Sequence, residues 1–166
     1  MSNAVLDGAN LSNVNLDSVN WIDADLKGVN LGNINLNSFD LSGYDLKRVN
    51  FSGANLSRAD LSKADLRSAN LSGANLSGAN LNNALLSFAT LKNTRLDNAD
   101  LRHAYLVYAD LTASNLNGSN LVGANLRLAN LSNAVLSGVD LSNADLRGVD
   151  LKNIDLTDTK LEGAIL

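Results

Sequence analysis

Residues 54–78 read ANLSR, ADLSK, ADLRS, ANLSG, ANLSG: five successive units with Ala first, Asn or Asp second and Leu third. The beat continues outward in both directions without an insertion. Every fifth residue from Leu6 to Leu166 is Leu, apart from Trp21 and Phe51. Two places earlier lies a small or branched residue, from Ala4 and Ala9 to Ala164, and Asn or Asp mostly fills the place between. Ser, Gly, Asn, Lys and Arg dominate the two places that follow each Leu. A short period that holds throughout a chain of 166 residues outranks every other structural signal in it.

An α-helix cannot carry this pattern. At about 100° per residue a five-residue step turns about 140°, which scatters the leucines around the cylinder. A continuous strand fails as well, because side chains alternate with period two and successive leucines would face opposite sides. The pattern fits a strand of about three residues followed by a turn, the turn made by the Gly, Asn, Asp and Ser that such positions favour. The chain then coils around its own leucines. Outward residues match best at a spacing of 20: Lys27, Lys47 and Arg67; Asp25, Asp45 and Asp65; Asn10, Asn30, Asn50 and Asn70; Phe88, Tyr108 and Leu128. At 15 residues Lys27 meets Ser42 and Phe88 meets His103. Four units per coil follow, giving about eight coils and a rod on the order of 40 Å long at about 4.8 Å per coil.

The unit resembles that of the pentapeptide-repeat proteins, whose motif is A(D/N)LXX, from about Met1 to Leu166. The resemblance implies an all-β, right-handed quadrilateral β-helix, the handedness resting on the resemblance alone. Residues 1–166 are expected to form a single domain of this kind.

Composition agrees with a core of stacked small and medium side chains: 45% of residues are apolar but only 4% aromatic. Each buried Leu contributes roughly 1.5–3 kcal/mol. The inner small position is Ala in every unit from Ala54 to Ala89, so the middle should be the narrowest and most regular part. Val29, Ile34, Phe39, Tyr44 and Val49 on one side, and Val139, Val149 and Ile154 on the other, predict looser or wider coils. The absence of Pro suits a backbone whose amides are committed to hydrogen bonds. Without Cys there is no disulfide frame. No long apolar run suggests a membrane span, and the first residues enter the repeat without the basic and apolar segments of a leader, so a cytoplasmic location is expected.

Catalysis needs different groups converging in a cleft, and a rod packed with Leu offers none. His103, the one His, falls two residues after Leu101 at an outward turn position and reads as a surface residue. Ser52, Ser57, Ser62 and Ser72 read as turn formers with no base beside them. The Asp columns, such as Asp40 and Asp60, alternate freely with Asn, and Lys27, Lys47 and Arg67 stand two places from theirs, so screened surface charge is the reading rather than a Ca²⁺ site. No catalytic, cofactor or metal residue is expected.

Chemistry is therefore sought where the beat breaks. The Asn/Asp place is lost at Leu85, Thr90, Arg95 and Tyr105. With four units per coil, Leu85 and Tyr105 share a face with Phe88, Val107, Tyr108 and Leu128, a candidate interaction patch of six apolar residues. The competing reading is an aromatic stack that only strengthens packing between coils. Trp21, with Met1 beneath it in the same column, is a candidate plug for the N-terminal end. The last units, ending Ala164-Ile165-Leu166, stay in phase with no comparable cover, which suggests end-to-end pairing through the last coil or a longer parent chain. The leading functional expectation is a non-enzymatic interaction or scaffold rod that binds a protein partner or itself, with no nucleic acid, membrane or cofactor. The alternative implied by the family resemblance is a mimic of B-DNA that binds DNA gyrase and protects it from fluoroquinolones. Duplex DNA carries about one charge per 1.7 Å, so a 40 Å mimic needs on the order of twenty. This chain has a net charge of −4, with 17 acids interleaved among 13 bases, and lacks the C-terminal helical segment of such mimics.

Overall fold

The computed structural model describes residues 4–15, 21 and 24–166. Its backbone is organised by parallel bridges that join residues 20 apart, among them Asp40 to Asp60, Asp60 to Asn80 and Asn80 to Asp100. Four pentapeptides therefore complete one coil, and the coils stack with like residues in register. The extended part is shorter than the three-residue strand anticipated above. Pairing is confined to single-residue bridges centred on the Asn/Asp place, because the turn begins immediately after each Leu.

One unit shows why the period is five. The Asn75 N–H donates down to the Ala54 carbonyl (2.9 Å), and the Leu76 N–H donates up to the Arg95 carbonyl (2.7 Å). The Ser77 N–H is taken by the Asn75 Oδ1 at 3.1 Å. The Gly78 N–H donates up to Asp97 (2.9 Å), and the Ala79 N–H closes the turn on the Leu76 carbonyl (3.0 Å). All five amides are satisfied, as a partly buried backbone requires. Asn and Asp recur because their short side chain carries an oxygen to the amide two residues on. The same geometry puts the third turn residue in the left-handed region, where Gly78 sits at φ 67°.

Leu and the small residue before it face inward. From Ala54 to Ala89 each inner Ala is at most 1% exposed, and so are the leucines between them. On the outside, Asn side chains form ladders of their own: Asn30 Nδ2 donates to Asn10 Oδ1 (2.9 Å), Asn50 to Asn30 (2.8 Å) and Asn70 to Asn50 (3.1 Å).

The stack is interrupted near the C-terminus. Val149 and Ile154 lie over Ala129 and Ala134, and the bridges that would join Asn130 to Asp150 and Val135 to Asp155 are absent among the described residues. The N–H groups of Leu131, Asn133, Leu136 and Gly138 accordingly find no carbonyl above them. A crevice of about 110 Å³ opens between Ser132, Asn133, Asp150, Asn153 and Ile154. The ladder re-forms at Asp140 to Lys160 and Asp145 to Ile165. Side-chain bulk alone does not open the ladder, since Val29, Ile34, Val49 and Val139 fill the same inner place, are at most 2% exposed and keep their bridges.

Two outcomes follow from this bonding scheme. Asn75→Ala, which removes the acceptor for the Ser77 N–H, should lower stability by about 1 kcal/mol in urea unfolding. In amide hydrogen exchange, Leu131, Asn133, Leu136 and Gly138 should exchange at least about tenfold faster than Leu111, Ala113, Leu116 and Gly118, which are bonded to the coil above. Equal protection of the two sets would show that the ladder is intact there.

Candidate interaction surface

The third turn residue projects from a corner of the rod, so its side chain is free to vary, but its backbone favours Gly or Asn. At one corner this place holds Phe88 (φ 61°), Tyr108 (φ 59°) and Leu128 (φ 58°) in successive coils. A left-handed backbone costs an ordinary side chain roughly 1–2 kcal/mol. The Phe88 and Tyr108 rings stack with centroids 5.2 Å apart and planes 12° apart, so residues 20 apart are vertical neighbours on this corner. Phe88 is 61% exposed, Tyr108 52%, Tyr105 49% and Leu128 44%. Leu85 and Val107 are half-buried beside them, and Leu85 bridges Tyr105. Leu128 leans over the next coil, where a Cβ on Gly148 would come within 2.6 Å of its Cδ2. Only Gly leaves that space open.

Leu85 and Tyr105 also remove the side-chain acceptors that Asn or Asp would supply. The N–H groups of Ser87 and Val107 have no hydrogen-bond partner among the described residues, whereas the Asp65 Oδ1 takes the Arg67 N–H in the coil below. The patch thus departs from the repeat twice, in losing the cap and in placing bulky apolar side chains on the left-handed turn place that units throughout the chain share. The other breaks do not join it. Thr90 and Arg95 fall on the next two faces, and Arg95 reaches Asp97 at 3.6 Å.

Below the patch, the same corner is basic. A shallow groove of about 440 Å³ is lined by Lys27, Lys47, Arg48, Arg67, Ser68 and Phe88. Some of these charges are already paired: Lys47 with Asp45 (2.8 Å) and Asp65 (3.1 Å), and Arg67 with Asp65 (2.6 Å). The Arg67 guanidinium, helped by Lys47 and opposed by partial burial, holds the Asp65 carboxyl down at about 2. Higher on the same face Arg147 does the same to Asp145, also to about 2.

Trp21 lies in the column of Leu41 and is 4% exposed. It meets Phe39 edge-on at 6.4 Å, and its carbonyl accepts the Tyr44 hydroxyl at 3.0 Å. Met1, expected beneath it, lies outside the described residues. His103 is exposed at a turn position, φ 57°, with its ring against Gly123. Among the described residues no group of three or more His, Cys, Asp or Glu could hold a metal ion, and no helix is long and apolar enough to cross a membrane.

Sequence reasoning collected the six apolar residues but missed two features of their setting. The left-handed backbone beneath Phe88, Tyr108 and Leu128 was signalled by the Gly and Asn that share their place in other units. The continuity of the patch with the cationic groove was signalled by Arg48, Phe88 and Tyr108 standing in one column.

Eight copies of the pentapeptide-repeat family profile match the chain, over residues 1–43, 45–83, 79–118, 109–148 and 124–163. The chain belongs to the pentapeptide-repeat family. Among solved structures it is similar to HetL, a pentapeptide repeat protein involved in heterocyst differentiation regulation from the cyanobacterium Nostoc sp. strain PCC 7120. Identity is 33% and the TM-score 0.51, and the match covers 100% of this chain and 82% of that one. It also matches Rfr23, a pentapeptide repeat protein from the cyanobacterium Cyanothece 51142, with 30% identity, a TM-score of 0.47, and coverage of 82% and 90%. QnrB1, a plasmid-mediated fluoroquinolone resistance protein, matches at 22% identity and a TM-score of 0.36, covering 98% of this chain and 89% of that one. No curated protein matches the chain in sequence.

Restoring the repeat residue inside the patch should stabilise the rod. Leu85→Asn and Tyr105→Asn each supply an acceptor for an unbonded amide and should raise stability by about 0.5–1 kcal/mol in urea unfolding. A loss of more than about 1 kcal/mol would make the patch a packing element instead. Acid titration gives a second check. The Asp65 carboxyl titrates at 3.8 in the unfolded chain and about 2 in the fold, so its ion pairs stabilise fully above pH 3.8 and are lost as pH falls through about 2. Asp65→Asn, which keeps the turn cap, should be less stable than the parent protein at pH 7 and approach it as pH falls through about 2.

Proposed function

We propose that residues 1–166 form a single right-handed quadrilateral β-helix of about eight coils that acts without catalysis, in the cytoplasm, as a protein-interaction or scaffold rod. Its working surface is the corner built from Leu85, Phe88, Tyr105, Val107, Tyr108 and Leu128, through which it binds a protein partner or a second copy of itself. The observation that carries this reading is the exposed, stacked pair Phe88–Tyr108, placed on left-handed backbone where Gly or Asn is cheaper. Exposed aromatic clusters of this kind make effective anchors. The likeness to HetL, a repeat protein involved in regulation, supports a role exercised by contact. The gyrase-mimicking alternative draws less support, since the net charge is only −4 and Asp45, Asp65, Asp100 and Asp145 are paired with Lys47, Arg67, Arg102 and Arg147.

The test is the variant Tyr105→Ser with Tyr108→Ser, compared with the parent protein for mass in solution and for partner capture, with cross-links mapped to residues. Ser occupies the place of Tyr108 in other units, as at Ser38 and Ser68, and Tyr105 is half exposed, so the variant should fold, which circular dichroism checks. Mass or capture should fall and cross-links on this corner should disappear. An unchanged mass and an unchanged set of captured proteins would reduce the patch to packing.

A further inference from the structure

The apolar patch does not stand on a neutral rod. Its column reads, coil by coil, Arg48, Ser68, Phe88, Tyr108, Leu128, and the adjacent turn column reads Lys47, Arg67, Ser87, Val107, Arg127, Arg147. In the first column Arg48 lies below the apolar stretch and Gly148 ends it above; in the second, cations stand on both sides of Ser87 and Val107. Carboxylates withdraw over the same interval: on the neighbouring face Asp45 and Asp65 are followed by Leu85, Tyr105 and Asn125, and acid returns only at Asp145. The groove of about 440 Å³ that ends on Phe88 contains four cations and no carboxylate in its lining. Lys47, Arg67 and Arg147 are spent on Asp45, Asp65 and Asp145. Lys27, Arg48 and Arg127 make no ion pair with the described residues. The chain as a whole is acidic, with a net charge of −4, so this corner has the opposite character to the rest of the rod.

We propose that the corner recognises an extended acidic segment of a protein partner: apolar or aromatic side chains in its middle, seated on Phe88, Tyr108 and Leu128, and carboxylates towards both ends, facing Lys27 and Arg48 on one side and Arg127 on the other. This rests on reading the corner as an interaction surface and adds the chemistry of its occupant. The dimensions agree. Arg48 to Leu128 is four coil steps, about 19 Å, which about six residues of extended chain span. Charge complementarity of this kind sets orientation and excludes wrong partners more than it adds affinity. A single-stranded nucleic acid fits less well. It needs a continuous cationic track, and here the track is interrupted by Ser87 and Val107, with half of its cations already neutralised. Aliphatic Leu85, Val107 and Leu128 also offer no stacking plane for a base.

The experiment uses the whole chain and a fluorescein-labelled peptide, Glu-Glu-Phe-Ser-Leu-Ser-Phe-Glu-Glu, read by fluorescence anisotropy. Three controls accompany it: the same peptide with Lys for Glu, the same with Ser for Phe and Leu, and an oligothymidylate of similar length. The acidic apolar peptide should bind saturably, at least about tenfold tighter than each control, and weaken as salt is raised across the Debye regime. Phe88→Ser with Tyr108→Ser, and separately Arg48→Glu with Arg127→Glu, should each weaken it at least about tenfold. Arg48 has no ion-pair partner among the described residues and Arg127 loses only a longer-range attraction to Asp145, and circular dichroism verifies that both variants fold. Binding of the Lys peptide as tight as the Glu peptide, or unchanged binding by the Arg48→Glu/Arg127→Glu variant, would overturn the acidic occupant. Tighter binding of oligothymidylate would replace it with nucleic acid. If no peptide binds but the Tyr105→Ser/Tyr108→Ser variant still loses mass or cross-links, the interaction surface stands and the acidic segment does not.

Discussion

The structure depends on one constraint: each pentapeptide must satisfy five backbone amides while returning a leucine to the axis. Two donate to the coil above, one to the coil below, and one closes the turn. The fifth has no carbonyl within reach and takes the side-chain oxygen of the Asn or Asp two places earlier, as at Asn75 and Ser77. This division of labour makes the sequence look the way it does. Leu and Ala fill the axis, Asn or Asp caps the next amide, and the last place tolerates whatever can live with positive φ. Little else is free to change without leaving a polar group unpaired.

It follows that departures from the pattern are informative in proportion to what they forgo. Val149 and Ile154 are only half-buried, and the ladder opens above Ala129 and Ala134. Leu85 and Tyr105 forgo a cap, while Phe88, Tyr108 and Leu128 hold bulky side chains on left-handed backbone. The first departure disturbs packing where two coils meet and gains no surface. The second leaves the axis untouched, with Ala84, Leu86, Ala104 and Leu106 fully buried beneath it, and changes only what the rod presents to its surroundings. An intact core under an altered surface is what a contact site on a repeat protein should look like.

Much of this was legible in the sequence because the period is short and unbroken. The spacing of 20 that aligns Lys27 with Lys47, and Phe88 with Tyr108, is the spacing of the observed bridges. The apolar corner was legible for the same reason: columns can be read directly once the coil length is known. Other features were not. Repeat spacing carries no information on how far a strand extends, and the pairing proved to be single bridges because the turn starts at once after Leu. The pairing of Lys47 with both Asp45 and Asp65 depends on side-chain reach across coils, which decides which cations are left over. The likeness to HetL and the family match agree with the fold and name no ligand for the corner.

The central claim is the register that makes residues 20 apart vertical neighbours, since the cap, the patch and the cationic bracket all rest on it. The chain has no Cys of its own, so engineered pairs report on it cleanly. Side by side in adjacent coils, about 4.8 Å apart, Phe88→Cys and Tyr108→Cys lie within disulfide range. Under mild oxidation that pair should close quantitatively without lowering the melting temperature, while Phe88→Cys with His103→Cys, 15 residues apart, should remain reduced. Closure of the 88–103 pair in place of the 88–108 pair would contradict the register and with it the whole surface.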